Sequence, residues 1–111
     1  MSKTRTRPRS PGHLSRSSRD FWLHIEREYE LDDHQRELLT LACECLDRIE
    51  QARQLIKAEG LTIDDRFEQK KPHPALAIER QNKIAFARLI REIGLDEGPP
   101  DPRPPRRGGR Q

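Results

Sequence analysis

The densest cluster of side chains able to do acid/base or metal chemistry is Asp64, Asp65, Glu68 and His73. Adjacent carboxylates on a hairpin, with an imidazole close by, are the hard-donor set that could hold Mg²⁺. The competing assignment is a turn, because adjacent Asp side chains accept hydrogen bonds from the backbone just beyond them and so shape a chain reversal. We adopt the turn and assign no catalytic, metal-binding or cofactor-binding residue. His13, His24 and His34 lack ligand spacing, while His73 precedes Pro74, where it can cap a helix. Cys43 and Cys45 would point about 200° apart on a helix, so they neither bridge nor share a metal. Cys45 is expected on an apolar stripe as a small hydrophobe. No G-x-x-x-x-G-K-[ST] loop occurs, which excludes a P-loop nucleotide hydrolase. The chain reads as a non-enzyme without cofactors.

The cations are arranged as though for a polyanion. Within the 111 residues, Met1 to Arg19 holds Lys3, Arg5, Arg7, Arg9, Arg16 and Arg19 and no carboxylate. Pro99 to Gln111 sets four Arg against Asp101, and the segment between is acidic. Such tails are solvated and self-repelling, and nucleic acid is their natural partner. No apolar run approaches the roughly 20 residues a membrane span needs, and the N-terminus lacks the apolar stretch of a signal peptide. A cytoplasmic protein that does not engage membrane is expected.

Three helices and a hairpin must position these groups. The first helix is expected from about Arg19 or Asp20 to Glu30, capped by Ser18 or Asp20, with Phe21, Trp22, Ile25 and Tyr29 on one buried face. Asp32 or Asp33 can cap the second, which runs to Glu59 and stops at Gly60. Leu38, Ala42, Cys45, Ile49, Ala52 and Ile56 form a heptad-like seam along it. A short β-hairpin is expected near residues 61–71. The third helix starts at His73 or Pro74 and ends at Gly94, burying Ile78, Ala85, Phe86, Leu89 and Ile93. Its opposite side carries Leu76, Ala77, Ile84 and Ala87, a second contact surface. The expected fold is therefore mainly α, with a long central helix, a short hairpin and a C-terminal helix over residues 20–95. Disordered tails over residues 1–19 and 96–111 flank it.

Two tempting nucleic-acid readings fail on physical grounds. Phe21, Trp22 and Tyr29 recur at helical spacing and are assigned to packing rather than base stacking. A helix-turn-helix would send the second helix into the major groove, but Asp32, Asp33 and Glu37 at its start would be repelled by phosphates. The candidate DNA contacts are instead the six N-terminal cations and, second, Lys70, Lys71, Arg80, Lys83, Arg88 and Arg91. An ordinary solvated face is the alternative for this second group. Leu38, Ala42, Ile49, Ile56, Leu76 and Ile84 are the candidate oligomer interface.

Taken in order, several short stretches resemble one known family. They are Phe21-Trp22, Tyr29-x-Leu31, Leu38-Leu39-x-x-Ala42-Cys43, Asp47-Arg48, Glu59-Gly60-Leu61, Lys71-Pro72-His73-Pro74-Ala75 and Arg88-Leu89-x-x-x-Ile93-Gly94-Leu95. Together, over roughly Asp20 to Leu95, the chain resembles the small subunit of tailed-phage terminases. The resemblance implies a DNA-recognition subunit, active in the cytoplasm of the infected bacterium. It further implies a homo-oligomeric ring that marks double-stranded viral DNA for packaging and recruits or regulates a large subunit bearing ATPase and nuclease. One departure is local: relatives often carry glycine in the turn after the hairpin's Asp-Arg, where this chain has Phe67 and Glu68. A small transcriptional regulator and a protein-interaction adaptor are the alternatives.

Overall fold

Ser15, rather than Ser18 or Asp20, opens the first helix. In the computed structural model, which describes residues 8–95, α1 spans Arg16–Glu28 and the Ser15 hydroxyl accepts the Ser18 amide at 3.2 Å. The helix thus starts three residues ahead of the earliest expected point, and Leu14 to Arg19, assigned to the tail on charge alone, belong to the folded part. Leu14 is buried among the core residues, which is why the chain is ordered ahead of the helix. Tyr29, expected on the buried aromatic face, instead terminates α1 in extended backbone and is 40% exposed.

Helix α2 spans Asp33–Glu59 and begins with a full capping box. Asp32 Oδ1 accepts the Gln35 amide at 2.7 Å and Gln35 Oε1 accepts the Asp32 amide at 2.9 Å, which satisfies two otherwise orphaned donors. The helix ends at Gly60, whose φ of 91° is open only to a residue without Cβ strain. Strands β1 (Thr62–Asp64) and β2 (Lys70–Pro72) pair antiparallel, with Ile63 opposite Lys71, in the hairpin expected there. Helix α3 runs Pro74–Ile93 and stops at Gly94 in the left-handed region.

The core gathers at one end of the α2–α3 pair, where α1 lies across α2. Trp22, Ile25, Leu39, Cys43 and Ile93 are buried together with Leu14, and Phe21 meets Phe86 with ring centroids 6.2 Å apart. The Trp22 indole donates to Thr40 Oγ1 at 3.1 Å, so its polar edge is satisfied inside this cluster. Gln35 Nε2 donates to the Ile93 carbonyl at 3.0 Å, tying the start of α2 to the end of α3. Near the other end, Arg53 Nε donates to Glu79 Oε2 at 2.9 Å. The two long helices are therefore antiparallel neighbours along most of their length.

This arrangement corrects the expected buried faces. Cys43, not Cys45, is fully buried, because α1 covers the first half of α2 on the side that the seam of the second half does not use. Within the seam Ala42, Ile49 and Ala52 are buried, as expected. On α3, Ala75 and Ile93 are buried and Phe86 and Leu89 are partly covered, whereas Ile78 sits at the rim, 41% exposed.

Candidate functional site

The acidic cluster around the hairpin is structural. Asp65 Oδ1 accepts the amides of Phe67 at 2.8 Å and Gln69 at 2.9 Å, and the Glu68 amide donates to the Asp65 carbonyl at 2.9 Å. Asp64 faces Lys70 Nζ at 3.1 Å. Glu68 takes the left-handed conformation, φ 60°, which glycine adopts without a Cβ penalty. His73 turns inward to only 6% exposure; its Nδ1 accepts the Ala75 amide at 2.9 Å and caps α3. With Nδ1 occupied as acceptor, Nε2 carries the proton and donates to Glu59 Oε1 at 2.6 Å, joining the end of α2 to the start of α3. The described residues bring together no group of three His, Cys, Asp or Glu side chains able to hold a metal.

Among the candidate DNA contacts, the fold sorts paired from unpaired cations. Arg19 is structural: its guanidinium donates to the Leu14 carbonyl at 3.1 Å and braces the turn before α1. Arg9 and Arg16 are exposed, and Lys3, Arg5 and Arg7 lie outside the described residues. Lys70 is matched by Asp64, and Lys83 by Glu79 at 3.2 Å. Lys71, Arg80, Arg88 and Arg91 are exposed and, among the described residues, form no ion pair within 4.0 Å. At about 100° per residue, Arg80, Arg88 and Arg91 fall within an arc of about 80° with Ile84 in its middle. Ile84 is 55% exposed.

The candidate assembly residues divide more sharply. Ala42 and Ile49 are spent inside the protomer, at 0% and 7% exposure, and Leu38, Ile56 and Leu76 are partly covered by it. Ile84 is the one of the six that stands open. Two features escaped the sequence reading. Phe67, 72% exposed at the hairpin tip with the Arg66 guanidinium 5.5 Å from its ring centroid, broke no period and carried no pattern signal. Asp47 fastens the start of α1 to α2, accepting the Ser15 amide at 2.9 Å and both the Ser15 and Ser18 hydroxyls at 2.6 Å.

Three helices and a two-stranded antiparallel hairpin define a small, mainly helical scaffold. The family model for the phage terminase small subunit matches residues 19–97, and the chain belongs to that family. That places it in phage genome packaging, among subunits that are generally regulatory and non-catalytic. No curated protein and no solved structure matches the chain. No helix of the described residues is long and apolar enough to cross a membrane.

Proposed function

We propose that the protein binds viral double-stranded DNA through its N-terminal cations, assembles into a homo-oligomeric ring, and recruits or regulates the large terminase subunit in the cytoplasm of the infected host. The observation that supports DNA contact is the charge layout: six cations without a carboxylate over residues 1–19, of which Arg9 and Arg16 are exposed and unpaired among the described residues. Cations of this kind bind phosphate by releasing condensed counterions, so affinity falls with salt by a log–log slope of about 0.9 per phosphate neutralised. Lys71 and Arg91 are secondary contacts; Lys70 and Lys83 contribute less because carboxylates already neutralise them.

The test is DNA binding measured across salt concentrations for the full chain and for a truncation that ends at Arg9. Cutting further would remove Leu14 and the Ser15 cap and so confuse loss of contact with loss of fold. Removing Lys3, Arg5, Arg7 and Arg9 should lower the slope by up to about 3.6. An unchanged slope would overturn the N-terminal assignment.

A further inference from the structure

We infer that the hairpin tip of one protomer seats on the exposed face of α3 of a second copy, with Phe67 against Ile84 and Glu68 facing Arg80 and Arg88. The inference rests on the ring reading and names the surfaces that would build it. Phe67 is 72% exposed and Ile84 55%, so neither apolar side chain is covered inside its own protomer. The tip is rigidly mounted. Asp65 Oδ1 holds the amides of Phe67 and Gln69, and the strained φ of 60° at Glu68 is retained where glycine would relieve it. A fixed turn that displays a large apolar side chain is a pre-organised anchor, since little backbone freedom is left to lose on docking.

Charge selects the partner. At the tip, residues 65–68 carry Asp65 and Glu68 against Arg66, while Asp64 is already paired with Lys70 at 3.1 Å. The α3 face carries Arg80, Arg88 and Arg91, exposed and without an ion pair among the described residues, whereas Lys83 is already paired with Glu79. An apolar residue among arginines thus matches an apolar residue among carboxylates, and complementary potentials of this kind set register and exclude wrong partners. One protomer cannot satisfy both, because Ile84 lies ten residues along α3 from Pro74, roughly 15 Å from the end at which the hairpin joins. The two patches are different surfaces of the same chain, so the contact is head-to-tail, and a head-to-tail contact that closes makes a ring.

The test is the solution mass, by light scattering at tens of micromolar, of the full chain and of two variants, Phe67→Asp and Ile84→Glu. Both positions are exposed, and unchanged helical circular dichroism confirms that each variant folds. Wild type should assemble and each variant should run as a monomer. An equimolar mixture should give dimers and nothing larger, since one variant keeps its tip and the other its socket. Variants that assemble like wild type, or a mixture that stays monomeric, would overturn this interface while leaving the ring intact. A monomeric wild type would overturn both. If Arg80→Glu with Arg88→Glu lowers the salt dependence of DNA binding but leaves assembly unchanged, the α3 face serves phosphate and the proposal fails.

Discussion

Asp47 and Ser15 are joined twice: the Ser15 hydroxyl donates to Oδ1 at 2.6 Å and its amide donates to the other carboxylate oxygen at 2.9 Å. Ser15 is also the N-cap of α1, so one carboxylate on α2 fixes where α1 begins and how it docks. The buried Ser18 hydroxyl completes the site at 2.6 Å. Asp47→Ala would leave the Ser18 hydroxyl with a single weak acceptor, the Cys43 carbonyl at 3.3 Å, and the Ser15 amide with none from α2. The expected loss is about 2 kcal/mol, seen as a Tm lowered by about 10 °C in thermal unfolding.

The same carboxylate gives the stability a pH dependence of definite sign. Burial alone would raise Asp47, but the Ser15 and Ser18 hydroxyls and the Ser15 amide outweigh it and hold the group below its ordinary range. A carboxyl lowered by folding contributes stability that is fully present above its unfolded value, about 3.9, and is lost as pH falls through the folded value. Urea midpoints of wild type and Asp47→Ala should therefore differ constantly near neutrality and converge below about pH 4. A gap that stays constant down to pH 2 would show that Asp47 acts by packing.

How far such features can be read from the chain depends on whether the determinant is local. A cap of α2 by Asp32 or Asp33 was readable because an N-cap is a local signal, whereas the choice of Asp32 and the reciprocal bond from Gln35 show only in the fold. Ala42, Ile49 and Ala52 were readable as periodic. Cys43 was not, because the buried stripe of α2 changes side where α1 lies across it, and a single period cannot describe a helix with two neighbours. The Ser15–Asp47 contact joins polar residues 32 apart, which no pattern encodes. For the surfaces, charge was legible but pairing across elements was not: Lys70 and Lys71 look alike until the hairpin register sets Asp64 opposite Lys70.

Glu68 offers a test of strain at the hairpin tip. A side chain at φ 60° costs roughly 1–2 kcal/mol, and glycine avoids this while giving back up to about 1 kcal/mol through the freedom it adds to the unfolded chain. Glu68→Gly should thus stabilise by about 0.5 kcal/mol, measured by urea unfolding. It should also weaken assembly, because it removes the carboxylate that faces Arg80 and Arg88 and loosens the mount of Phe67. A variant that is more stable and assembles as well as wild type would show that the strain serves nothing at the tip.

The two cysteines report on α1 docking without perturbing it. Burial, with Asp47 and Glu44 adding to it, pushes the Cys43 thiol up to about 12, and its sulfur donates to the Ser18 carbonyl at 3.5 Å. Cys45 is raised by burial and Glu44 with partial relief from Arg48, and it remains partly exposed. The thiolate is the reactive form, so Cys43 is both inaccessible and uncharged near neutral pH. Iodoacetamide at pH 8 should place a single label per native chain, on Cys45, with Cys43 reacting only in denaturant. Asp47→Ala should open Cys43 to labelling at a rate set by undocking of α1, because Ser18 leaves the sulfur when that helix lifts. Slow labelling of Cys43 in that variant, at the wild-type rate, would mean that the core contacts of Trp22 and Ile25 and the Glu26–Arg36 pair suffice to hold α1, and that the Ser15–Asp47 contact merely marks where the helix starts.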